Sequence, residues 1–351
     1  MNCSSVDEVA RVVLYEGYLL YPYRPSSVKN QQRWTFGGIL PRDYCLVQGD
    51  TWAMQTECLL RAGPNTTVQV RVRFLHLQDR TVGLLTPALS AWPTLEVPAF
   101  ESVPILEVGE RTYHPWQEAT EREIILDLVV EELCATPRPV PFSFPAGRAL
   151  EPVLSPTGKV VGVLSRQHQS VAGEIEATVR RVGGLVRLTL RVHNLTRLEE
   201  PEAIRRDQAL HYSLLSTHTI LQVRGGEFVS MIDPPEDCQA AAAECRNVGT
   251  WPVLAGEEGT FDTLLSSPII LYDYPRIAAE SPGDLFDATE IDEILTLRIL
   301  AMTPEEKRER AAVDERASRL LARTEALTSE QMIGLHGVVR SLRTLPKESP
   351  P

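Results

Sequence analysis

Seven carboxylates crowd residues 273–293, among them Asp273, Asp284, Asp287, Glu290, Asp292 and Glu293. Such side chains can ligate a hard cation through oxygen, or share a proton as an acid/base pair. Their spacing does not match a calcium loop, which needs a central glycine and a terminal glutamate. Asp287 and Glu290 have the three-residue spacing of a loose capping box, and the other acids suit the positive start of the helix they precede. Just upstream, SSPIILYDYPR (266–276) reads as a strand over residues 268–271, followed by a turn holding Tyr272, Asp273, Tyr274 and Arg276. Aromatic and charged groups on an irregular connection between rigid elements suit recognition.

A second dense stretch lies near the start. Tyr15, Tyr18, Tyr21 and Tyr23 are followed by Arg24, Lys29, Arg33 and Trp34. These types anchor interfaces, and on an N-terminal strand they equally well fill a sheet core. Cys238 and Cys245 are seven apart in a helix-prone segment, QAAAAEC, too far apart for a zinc pair. The seven histidines form neither HxH nor HExxH pairs, and His114, in Tyr-His-Pro-Trp, is the most site-like, since a loop imidazole beside two aromatics can titrate or ligate. No G-x-S-x-G, phosphate-cradling loop or dinucleotide fingerprint occurs. The expectation is therefore no catalytic residue, no metal and no cofactor.

With 351 residues, 43% hydrophobic and 23% charged, the composition is that of a globular chain of one or two domains. A net charge of −12 argues against nucleic acid and against anionic membrane surfaces. No apolar run approaches the roughly 20 residues of a membrane span, and the first residues lack the pattern of a signal peptide. A cytoplasmic location with reduced thiols is expected.

The elements that must position these groups are mostly strands. VQVRVRFLHL (68–77) alternates at period two, which predicts Arg71 and Arg73 facing solvent opposite Val70, Val72 and Phe74. Residues 174–182 and 185–194 flank Gly183-Gly184, a two-residue hairpin signal. Residues 12–20 and 123–130 also read as strands, and the proline-rich stretches 86–104 and 136–147 as edges or crossings. Gly37-Gly38 and Gly225-Gly226 read as turns. Residues 202–219 look helical, and helices are expected after Asp287, Thr303 and Thr328. The predicted fold class is α+β, mainly β: a sandwich-like antiparallel β body with a helical C-terminal quarter. The predicted domains are a β-rich body at 1–200, a mixed region at 201–345 packed on it, and a disordered tail at 346–351.

Four segments carry a family resemblance: LYEGYLLYPYRPSSVKNQQRWTFGGILP (14–41), FPAG (144–147), NVGTWPVL (247–254), and residues 266–300. Together the chain resembles a bacterial protein family encoded alongside structural and maturation genes of [NiFe] hydrogenases. The resemblance implies a non-catalytic accessory or assembly role through binding a hydrogenase subunit or maturation factor. It brings no assigned catalytic residues. The candidate contact residues are Tyr21, Tyr23, Arg24, Lys29, Arg33, Trp34, Tyr272, Asp273, Tyr274, Arg276, Asp284, Asp287 and Glu290. The alternative is an enzyme on a small or carbohydrate-like ligand that uses carboxylates of residues 273–293.

Overall fold

A computed structural model describes residues 3–15, 37–93, 97–134 and 138–276, with the single positions Thr303, Ala322 and Ala326. The chain divides into two compact units, Met1–Leu20 with Ser26–Ile277, and Tyr21–Pro25 with Ala278–Pro351. All but three of the described residues belong to the first.

That unit is built on strands. They are β1 (Ala53–Leu89), β2 (Glu101–Val103), β3 (Leu106–Val108), β4 (Arg111–Tyr113), β5 (Trp116–Val129), β6 (Arg138–Phe144) and β7 (Gly147–Leu154). There follow β8 (Val160–His168), β9 (Val171–Val182), β10 (Leu185–Asn194), β11 (Leu215–Phe228), β12 (Trp251–Leu254) and β13 (Thr263–Ser267). Four helices accompany them: α1 (Cys3–Tyr15), α2 (Arg42–Gln48), α3 (Arg206–Ala209) and α4 (Gln239–Ala243). Eleven strands form one sheet with the path β12-β13-β11-β1-β10-β9-β6. β2, β5 and β8 also pair with β1, and β7 pairs with β8, while β3 and β4 make a separate small hairpin. Every pairing is antiparallel.

The 37-residue β1 is the spine. It pairs with β10 at one end, with β5 and β11 along the middle, and with β8 at the other end. The sheet curls on itself. Phe74 of β1 meets Phe142 and Phe144 of β6 at ring-centroid distances of 6.3 and 5.7 Å, although β10 and β9 separate the two strands in the ladder. The expected layers of a sandwich are thus one continuous sheet. Its inner face is the main core, where Val70, Val72 and Phe74 pack with Ile175, Leu188 and Leu190. Each such fully buried side chain contributes about 1.5–3 kcal/mol.

The predicted hairpin is present as β9 and β10, and Gly183 takes a φ of 62° at its turn. The strand expected near residues 123–130 is β5. Of the two proline-rich stretches, residues 138–144 form β6, which lies at an edge of the sheet, where missing amide donors cost no ladder bonds. The sheet is antiparallel throughout, as the alternation in sequence predicts. The three helices expected after residue 287 and the tail at 346–351 lie outside the described residues. The sheet continues past residue 200, where the sequence pattern changes: β11, β12 and β13 all belong to it.

Four local expectations fail, each for a physical reason. Residues 12–15 end a helix, not a strand, because Val6, Val9, Ala10 and Val13 have the i, i+3, i+4, i+7 spacing that buries them on Ile220, Val253 and Leu265. That helix covers the face on which Arg71 and Arg73 were expected to meet solvent. Arg73 is only 9% exposed, and Asp7 of α1 pairs with Arg71 at 2.9 Å. Residues 202–219 hold only α3 and one 3-10 turn, since residues from Leu215 onward gain a full ladder on β1. Gly225-Gly226 sits inside β11 rather than at a turn. It faces the break between Ala62 and Thr67 in β1, where a Cβ on Gly226 would come 2.6 Å from the Arg61 carbonyl.

Candidate functional site

Residues 268–276 start where β13 stops. Pro268 has no amide to continue the ladder, so the strand ends at Ser267 and not, as expected, at residue 271. Ser267 pairs with Trp251, while Asp273 is bonded to Leu254. Residues 268–272 therefore return along the outer edge of β12. Ile269 and Leu271 pack inward on the α1 cluster. Ile270 and Tyr272 alternate outward, 73% and 67% exposed.

Asp273 and Tyr274 lock this return in place. One carboxylate oxygen of Asp273 accepts the Leu254 amide at 2.8 Å, and the other accepts the Ser230 hydroxyl. Ser230 Oγ in turn accepts the Asp233 amide at 2.9 Å. The Tyr274 amide donates to the Leu254 carbonyl at 2.7 Å, and its phenol donates to the Thr260 carbonyl at 2.8 Å. Burial holds the Tyr274 phenol above its ordinary pKa, so it stays protonated and can donate. Tyr274 adopts a φ of 57°, a left-handed conformation that these bonds hold. Together they close the outer side of β12, whose remaining outward position, Pro252, has no N–H to offer.

Of the four expected contact residues here, two are spent on the fold. Asp273 has both oxygens engaged, and Tyr274 is packed against the main core. Tyr272 stands free on the surface, and Arg276 makes an exposed ion pair with Glu258 at 3.2 Å. The arrangement is a rigid ledge with Ile270 and Tyr272 along its outer side, which suits apolar contact and not proton transfer. Ile270 was missed by sequence reasoning. In-out alternation across residues 269–272 was the signal, hidden because all four are apolar or aromatic.

No family model and no curated protein matches the chain.

Tyr21, Tyr23, Arg24, Lys29, Arg33, Trp34, Asp284, Asp287 and Glu290 lie outside the described residues. Among the described residues no group of three or more His, Cys, Asp or Glu is placed to hold a metal. Cys238 and Cys245 do face one apolar cluster, with Leu59, Leu185 and Val229, and both are free thiols. Burial raises the pKa of each, which makes them poor thiolates. His211 bonds Asp79 at 2.8 Å, and His218 is wholly buried in β11. No described helix is long and apolar enough to cross a membrane.

Proposed function

We propose that this chain is a non-catalytic accessory protein that works by binding another protein through the β12 ledge. The observation that carries the reading is the alternation at residues 269–272. Two large apolar side chains are held open to solvent by neighbours that are packed or hydrogen-bonded. Rigid, exposed aromatic and aliphatic groups lose little entropy on docking and make strong anchors. The family resemblance supplies the partner, a [NiFe] hydrogenase subunit or maturation factor, and the compartment we expect is the cytoplasm. The acidic chain makes nucleic acid an unsuitable partner. The carboxylate-enzyme alternative loses Asp273, whose oxygens are both occupied.

The test is affinity capture of the tagged chain from hydrogenase-producing cells, followed by mass spectrometry, with Ile270→Ser/Tyr272→Ala as the variant. Among the described residues these two side chains make no hydrogen bond or ion pair, so their loss reads binding and not folding. Hydrogenase subunits or maturation proteins recovered with the natural chain, and lost with the variant, are the expected result. Equal recovery with both chains would remove the ledge from the interface, and no such protein in either sample would remove the role.

A further inference from the structure

FPAG (144–147) resembles its family as text, yet the ledge does not use it. Its residues converge elsewhere, on Arg122. The Phe144 ring lies beneath the Arg122 guanidinium, 5.0 Å from centroid to Cζ. The His168 ring stands beside the backbone of Pro145. Gly147 sits opposite His168 on the neighbouring strand, and a Cβ there would come 2.6 Å from the imidazole Cε1. The absence of a side chain at 147 is thus what lets the His168 ring lie where it does.

Arg122 Nη2 is 3.2 Å from His168 Nε2, and its Nε donates to His76 Nδ1 at 3.5 Å. The two imidazoles meet edge to face at 4.9 Å. Burial and the Arg122 charge lower the pKa of both histidines, so both are neutral and serve as acceptors for the guanidinium.

The charge balance is incomplete. Among the described residues, the other arginines that are not exposed are Arg71, Arg73, Arg80, Arg166, Arg187 and Arg191, and each has a carboxylate within 4 Å. Arg122 is half-buried and has only imidazoles and a phenyl ring. A desolvated cation without a counter-charge is costly, and the fold holds this one in a fixed orientation. Of its five N–H groups, one on Nε and one on Nη2 are engaged, which leaves both on Nη1 and one on Nη2. A planar fork of that kind matches the two oxygens of an oxyanion.

We propose that Arg122, seated on Phe144 and aimed by His76 and His168, is a binding site for an oxyanion of the carboxylate or phosphate type. The guanidinium carries the charge and the fork, the imidazoles fix its plane, and FPAG builds the seat.

The test is titration of the full chain with inorganic phosphate and, separately, with acetate, at constant ionic strength in chloride. It is followed by the NMR signals of the His76 and His168 rings. Saturable shifts in both rings are expected. Saturation by both anions, by phosphate alone or by acetate alone each supports the site and assigns the ligand class. Arg122→Gln should weaken binding about tenfold or more. Gly147→Ala, which leaves Arg122 in place but displaces His168, should weaken it several-fold, and far-UV circular dichroism checks that both variants fold. Arg148→Gln, which removes an exposed arginine nearby, should leave affinity within about twofold. Absence of saturation with either anion would overturn the site. So would an unchanged affinity in folded Arg122→Gln or Gly147→Ala, or an equal loss in Arg148→Gln, which would mark general charge attraction.

Discussion

Asp273 secures the outer side of β12 with both carboxylate oxygens, one on a backbone amide and one on a hydroxyl. Asp273→Asn keeps the shape but replaces one acceptor by a donor facing a donor, so it should cost about 1–3 kcal/mol in urea unfolding. Tyr272→Ala, one residue away and exposed, should stay within about 0.5 kcal/mol. The buried histidines set an acid limit. Burial pushes His76 down to about 4 and His218 down to about 3. Below pH 6.5 the unfolded chain takes up protons that the folded chain refuses. Stability should then fall as pH drops towards 4, by up to about 1.4 kcal/mol per unit for each histidine. His211 works in the opposite sense. Its bond to Asp79 raises its pKa, so its contribution is full below about 6.5 and is lost as pH rises through the folded value. Chemical unfolding across pH 4–9 should show the acid loss lessened in His218→Gln and the alkaline loss removed in His211→Gln.

Among the elements, two glycines with nearly the same backbone angle have different tasks. Gly183, at the tip of the β9–β10 hairpin, has a φ of 62° and open space around the position of a Cβ. Gly37, with a φ of 59°, would place a Cβ 2.6 Å from Pro268 Cγ and 3.1 Å from Ser216 Cα. Gly183→Ala should therefore cost only the backbone strain, about 1 kcal/mol. Gly37→Ala must also shift Pro268, at the root of the ledge, and should cost clearly more. Urea midpoints of the two variants measure the difference. If they match, the close approach of Gly37 to Pro268 contributes nothing to stability.

At the scale of the molecule, residues 1–200 do not contain a complete sheet. β1 is flanked along its middle by β5 and by β11, which begins at Leu215. A fragment ending at residue 200 would expose one side of β1 and, lacking Ile220, Val253 and Leu265, would leave the apolar face of α1 without the surface it packs on. It should be aggregation-prone and lack a cooperative thermal transition, whereas the chain through residue 277 keeps every described strand. Circular dichroism melts and light scattering on the two lengths distinguish these outcomes.

Local pattern determined what depends on neighbours in sequence. The antiparallel β class, the 183–184 hairpin and the alternation of β1 were legible because side-chain period and turn chemistry act over a few residues. The segment 266–276 was legible as unusual, but not which of its side chains would be free. Only the tertiary structure decided that Asp273 and Tyr274 are consumed by Leu254, Ser230 and Thr260, leaving Ile270 and Tyr272 outward. It also decided that residues 12–15 are helical, since the surface that rewards that choice comes from β11, β12 and β13. The Arg122 seat joins β1, β5, β6 and β8, and no spacing along the chain reveals it. Hydrogen bonds, burial and charge pairing depend on distance in space, and a curled sheet makes neighbours of residues that the chain keeps far apart.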